Sequence, residues 1–114
     1  MPTLAMRREE RLTRSRDFAR VYDQGKSCAN KLLVMRAFPS GREQSRVGFS
    51  VSKRVGNAVV RNRVKRMLRE AVRLSDWKTG WDVVFIARAG TAMCDFHEIG
   101  QAVDDLAQRS NMRK

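Results

Sequence analysis

The alternation of apolar and polar positions divides the chain into six segments. Phe18, Val21 and Tyr22 recur at helical spacing, with Ser15 as a candidate N-cap, Asp17 in the first turn and Gly25 as a stop. This predicts a helix over 15–24. Leu32 to Phe38 is an apolar run broken by Arg36 and closed by Pro39-Ser40-Gly41, which suits a strand followed by a turn. From Arg46 to Ser52 the alternation is strict. Val47, Phe49 and Val51 take one face, and Arg46, Gly48, Ser50 and Ser52 take the other. The second face is polar and of low relief. It is either an ordinary solvated strand face or a floor on which an extended nucleic-acid backbone could lie, with hydroxyls to bond phosphate or ribose.

Gly56-Asn57 predicts a turn with Asn57 as N-cap, followed by a helix over 58–74 that would be about 26 Å long. Asp82 to Arg88 reads as a mostly buried strand. A last helix starts near Asp95, with Glu98 as its capping-box partner and Phe96, Ile99, Val103 and Leu106 as its core stripe. The order helix, two strands, helix, strand, helix predicts a mixed α/β domain around one small sheet. No repeat, low-complexity tract or Pro/Ser-rich linker divides it. Residues 1–12 are expected to be a flexible Arg-rich N-terminus and 13–114 a single domain.

Charge changes this picture from a generic domain to one with a partner. The chain has 114 residues, with 24 Lys+Arg against 12 Asp+Glu and a formal net charge of +12. More than half of that excess lies in residues 53–73, where eight cations face only Glu70, while residues 74–105 are net acidic. An imbalance of this size points to a polyanion, most often nucleic acid. On the helix over 58–74, Val60, Val64, Met67, Leu68, Ala71 and Val72 share an apolar arc. Arg61, Asn62, Arg63, Lys65, Arg66, Arg69 and Arg73 fill most of the remaining circumference. A solvated basic face is the plain alternative. Yet like charges at i,i+4, such as Arg61/Lys65 and Lys65/Arg69, oppose the isolated helix by a few tenths of a kcal/mol each. A helix carrying several such pairs favours an external anion. Arg also binds phosphate through two donors at once. Lys53 and Arg54 precede the helix N-terminus, whose free N–H groups form a second phosphate-friendly locus. Phe18 and Tyr22 are either core residues or stacking platforms beside the small-residue strand face, an arrangement suited to single-stranded RNA.

Little points to protein-borne chemistry. His97 is the only histidine and has no second His to complete an acid/base pair. Asp82, Asp95, Asp104 and Asp105 show no two-metal spacing, and Ser50 and Ser52 have no evident activating base. No catalytic residue and no metal or cofactor site is therefore expected in this chain. Cys28 and Cys94 form no CxxC pair and read as reduced thiols. No apolar run is long enough to span a bilayer and the N-terminus lacks a signal-peptide core, so a cytoplasmic location is expected. An RNA-scaffolding protein, such as a small ribosomal component, would use the same basic helix.

The segment RVGFSVSKRVGNAVVRNRVKRMLRE, Arg46 to Glu70, closely resembles the protein subunit of bacterial ribonuclease P. The match lies in Ser50-Val51-Ser52-Lys53, Gly56, and Arg61-Asn62-Arg63-x-Lys65-Arg66-x-x-Arg69, and the order of elements agrees over about residues 10–110. The resemblance implies a single-domain α/β sandwich of ribosomal-protein-like fold, with a small central mixed sheet and a left-handed crossover between parallel strands, against the usual handedness. It implies a subunit of the tRNA 5′-maturation endonuclease in which the RNA, with Mg²⁺, performs the cleavage. One protein would bind one catalytic RNA, together with precursor tRNA and no membrane. Arg61, Asn62, Arg63, Lys65, Arg66 and Arg69 would face the catalytic RNA. Phe18, Tyr22, Ser50, Ser52 and Lys53 would line a cleft for the single-stranded 5′ leader, with Arg36, Arg54 and Arg88 beside them. Arg36 stands where the family often has an aromatic residue, and Ala89 where a Lys is common. The first could replace stacking with guanidinium contacts, and the second removes a cation from the leader path.

Overall fold

The computed structural model describes residues 11–75 and 77–112. Helix α1 (Ser15–Gln24) leads into strands β1 (Lys26–Ala29), β2 (Leu33–Pro39) and β3 (Arg46–Ser50). Helix α2 (Ala58–Arg73) connects β3 to β4 (Trp81–Ala87), and a 3-10 helix (Ala89–Met93) precedes α3 (Phe96–Arg109). The sheet order is β1-β2-β4-β3. β1 with β2, and β2 with β4, run antiparallel, while β3 and β4 are parallel neighbours joined through α2.

The period-two pattern of the strands sorts residues between two helical layers. Leu33, Met35, Val47, Val83 and Phe85 pack with Val64, Leu68 and Val72 of α2 and with Ile99, Val103 and Leu106 of α3. Phe85 anchors this side, stacked on Phe49 with centroids 6.3 Å apart and met edge-on by Trp77 at 5.7 Å. On the other face α1 is the one helix among the described residues, with Val21 fully buried among Leu12, Val84, Phe18, Phe38 and Ile86. The expected sandwich and mixed sheet are therefore present.

Several local expectations change. Helix α1 begins after Arg14, not after a Ser15 cap, and no side chain caps its N-terminus. Gly25 ends the helix with φ −77°, not in the left-handed region. It is needed there for space, because a Cβ would run into the Val21 carbonyl and lie 3.1 Å from that of Ala37. β3 ends at Ser50 instead of Ser52. Strand β1 was not foreseen, because Lys-Ser-Cys-Ala at an exposed sheet edge carries no apolar alternation. By contrast, Asn57 caps α2 by accepting from the Val60 N–H at 3.0 Å. Asp95 and Glu98 form a complete capping box on α3. Residues 1–10 of the expected N-terminal arm lie outside the described residues. Leu12 is buried, and its N–H donates to the Val47 carbonyl at 3.0 Å.

Candidate nucleic-acid interface

Helix α2 turns Val64, Leu68, Ala71 and Val72 into the core and its cations outward. Among the described residues, Arg61, Lys65, Arg66 and Arg69 have no acidic partner, and the buried Nε atoms of Arg61 and Arg69 have no hydrogen-bond acceptor. Asn62 and Arg66 are exposed. Two residues of the basic helix are committed internally. Arg73 pairs with Glu70, whose carboxyl it holds below the usual range. Arg63 donates to the Ala92 carbonyl at 2.5 Å and the Cys94 carbonyl at 3.3 Å, tying α2 to the segment that leads into α3. Its position in the basic run gave no sign of this, since backbone carbonyls leave no mark in a sequence.

Ahead of α2, Lys53 and Arg54 are exposed in a turn closed by the Val55 N–H to the Ser52 carbonyl at 3.1 Å. The Ser52 hydroxyl accepts from the Arg54 N–H at 3.3 Å, and no acid occupies the first turn of α2. Ser50 is half-buried in the cross-strand row Val34–Ile86–Ser50.

Gly48 corrects the expected floor. It is buried beneath the Phe18 ring, and any Cβ there would collide with that ring. Among the described residues the strand face is thus covered by α1 at Gly48, and it opens to solvent towards Ser50 and Ser52. Phe18 is half-buried and Tyr22 is 39% exposed, their rings tilted at 36° with centroids 6.4 Å apart. Phe18 packs on the sheet and also borders an open pocket of about 220 Å³. Arg11, Thr13 and Phe49 line the same pocket together with Lys65 and Arg69 of α2. Of the expected cleft residues Phe18 lines this pocket, and there it faces Lys65 and Arg69 of the basic helix; Tyr22, Ser50 and Ser52 lie outside the pocket.

Three further arginines, Arg36, Arg88 and Arg46, donate to protein acceptors. Arg36 donates from Nη2 to the carbonyls of Tyr22 at 2.6 Å and Gly25 at 3.1 Å, and from Nε towards that of Val21 at 3.5 Å. Arg88 is exposed but donates to the Asn30 carbonyl at 3.1 Å. Arg46, not singled out in the sequence, grips the buried Asp82 through Nε and Nη2 at 2.9 and 2.7 Å and reaches Asp17 at 3.3 Å. Hydrogen bonding to Asp82 raises the Arg46 pKa further above its ordinary value, against the cost of burial. Asp17, expected to serve the helix dipole, thereby ties the first turn of α1 to the sheet. His97 is exposed at the start of α3. Cys28 and Cys94 are free thiols, and burial, aided by Glu98 and Asp95, pushes the Cys94 thiol up. No helix among the described residues is long and apolar enough to cross a membrane.

A family model described as Ribonuclease P matches residues 6–111. The ribonuclease P protein component of Dehalococcoides mccartyi is 46% identical over 107 residues, covering 94% of this chain and 89% of that protein. Its counterpart from Caldanaerobacter subterraneus is 44% identical over 102 residues, 88% of each. Among solved structures, the RNase P protein of Staphylococcus aureus superposes with a TM-score of 0.84 at 30% identity, covering 92% of this chain and 98% of that one. The protein from Thermotoga maritima does so with a TM-score of 0.80 at 32% identity, covering 88% and 96%.

Proposed function

Because this chain belongs to the bacterial ribonuclease P protein family, we propose that it docks on the catalytic RNA through α2 and holds the precursor-tRNA 5′ leader along the Phe18–Tyr22 cleft. As a protein component of the tRNA 5′-maturation enzyme, it works with an RNA partner. The hydrolysis belongs to that RNA and its Mg²⁺, with one protein per RNA, in the cytoplasm. The observation that carries this reading is the row Arg61, Lys65, Arg66 and Arg69, which has no acidic partner among the described residues and two buried Nε donors unused. Unused guanidinium donors on a rigid helix match phosphate geometry and lose little freedom on binding. Asn62 adds a donor and acceptor on the same face, and Lys53 and Arg54 extend the cationic surface past the α2 N-terminus.

The cleft differs in character. Phe18 and the exposed Tyr22 offer apolar ring surface, Ser50 and Ser52 offer hydroxyls, and Lys65 and Arg69 supply charge in the pocket that Phe18 borders. This combination suits an unpaired strand, whose bases can stack while its phosphates meet cations. Arg63 supports the docking helix from behind through Ala92 and Cys94.

The decisive experiment is cleavage of precursor tRNA by a bacterial catalytic RNA at low Mg²⁺, with and without this protein. Stimulation by the protein is expected, and the protein alone should leave the substrate intact. Lack of stimulation would remove the assignment, and cleavage by a clean protein preparation would overturn the division of labour.

A further inference from the structure

We propose that Arg36 is a positioning residue for leader recognition, clamping the C-terminal end of α1 from the sheet and so fixing Tyr22 without meeting the leader itself. This rests on the leader reading of the cleft and names how that cleft keeps its shape. The last turn of α1 contains no basic residue. Its terminal carbonyls carry the negative end of the helix and have no intrahelical donors. One of them, at Val21, takes the Gly25 N–H at 2.8 Å. Arg36 supplies the missing cation from β2, dividing Nη2 between the carbonyls of Tyr22 and Gly25 and aiming Nε at that of Val21. A planar fork with fixed donor directions can span three carbonyls in this way, and an ammonium cannot match it.

The register shows what the clamp controls. Arg36, Val84 and Gly48 form one cross-strand row on the face beneath α1. At one end of the row Gly48 makes the seat on which the Phe18 ring rests, and at the other Arg36 grips the Tyr22 carbonyl. Phe18 and Tyr22 are one helical turn apart, and the first turn of α1 is held by Asp17 on Arg46. Helix α1 is therefore fastened at both ends by guanidinium groups from the sheet. Tyr22 as a residue is 39% exposed, so the placement of its ring follows that of the helix backbone. Among the described residues Nη1 is the Arg36 nitrogen without a protein acceptor, so a direct leader contact would be made there.

The test uses the holoenzyme reconstituted with catalytic RNA, and compares binding of leader-bearing precursor with binding of mature tRNA at several salt concentrations. Arg36→Gln should weaken the precursor about fivefold and leave mature tRNA unchanged, as expected for losing part of one oriented contact. The salt slope should stay the same. Adding Arg36→Gln to Tyr22→Ala should cost nothing beyond Tyr22→Ala alone, and Arg36→Lys should restore the loss only in part. Tyr22 is the only tyrosine, so 3-fluorotyrosine gives one ¹⁹F resonance, which should shift or broaden in Arg36→Gln. A salt slope shallower by about 0.7 unit would show a direct phosphate contact and overturn the positioning role. Additive losses in the double variant, or an unmoved ¹⁹F signal, would overturn it as well. If Phe18→Ala and Tyr22→Ala produce no leader-specific loss while the ¹⁹F signal still responds to Arg36→Gln, the clamp exists but the leader reading fails.

Discussion

Beneath α1, Arg46 and Arg36 give their donors to Asp82, Asp17 and the end of the helix, whereas along α2 Arg61, Lys65, Arg66 and Arg69 have no acidic partner among the described residues. The residue type is the same, and the difference lies in the acceptors the fold brings near it. A guanidinium beside buried carboxylates or helix-terminal carbonyls fastens structure. One on a helix face crowded with other cations, with no acidic partner among the described residues, keeps its donors available. Arg63 lies in the basic run but belongs with the first group. Position in a charged segment is thus weaker evidence of binding than the absence of a protein acceptor.

Breaking the internal group should produce the largest effect. Asp82 is fully buried, and Asp82→Ala would leave Arg46 with Asp17 as its remaining acidic partner. A loss of about 3 kcal/mol is expected in urea unfolding. A loss below about 1 kcal/mol would mean the pair does not hold the fold. Gly48→Ala should follow, at about 2 kcal/mol, because the added methyl displaces the Phe18 ring. Its effect on precursor binding should exceed that on mature tRNA.

Arg66→Ala and Arg63→Ala sharpen the contrast within one helix. Arg66→Ala should weaken catalytic-RNA binding by about 1–2 kcal/mol, make the salt slope shallower by up to about one unit, and leave stability within about 0.5 kcal/mol. Arg63→Ala should instead lower stability by about 1.5 kcal/mol through loss of its two carbonyl contacts. Equal stability changes in the two variants would erase the distinction. The smallest effect concerns half-buried Asp105, whose pKa is lowered from 3.8 by hydrogen bonds first from Asn30 and then from Arg109. A carboxyl depressed in the folded state contributes stability above its unfolded pKa and loses it as pH falls through the folded value. The advantage of wild type over Asp105→Asn should therefore be small at neutral pH and vanish on acidification below 3.8. Thermal melts across that range measure it.

What could be read along the chain was whatever local periodicity and local capping encode. The apolar arc of α2, its Asn57 cap and the Asp95–Glu98 box all involve residues a few positions apart, and all are present. The Arg46–Asp82 grip spans 36 residues and the Arg36–Tyr22 contact spans 14. Neither follows a local period, and the second uses a carbonyl that every residue possesses. Gly48 illustrates the same limit: a small polar-face residue suggests an open floor, but the register places it beneath a ring from another element. The net cationic surface was legible because charge sums without geometry, whereas its division into fastening and free groups required the fold.

The central place of β4 has a consequence for how the molecule comes into being. It pairs with β2 on one side and β3 on the other, yet it is the last strand to leave the ribosome. Until residues 81–87 have been made, a nascent chain can close the β1–β2 hairpin but lacks the strand that links it to β3, and α2 emerges with its cations clustered. These distant pairings carry the loop-closure cost that slows folding. Assembly of the sheet must therefore wait for residues 81–87, when a single strand arrives to join both halves.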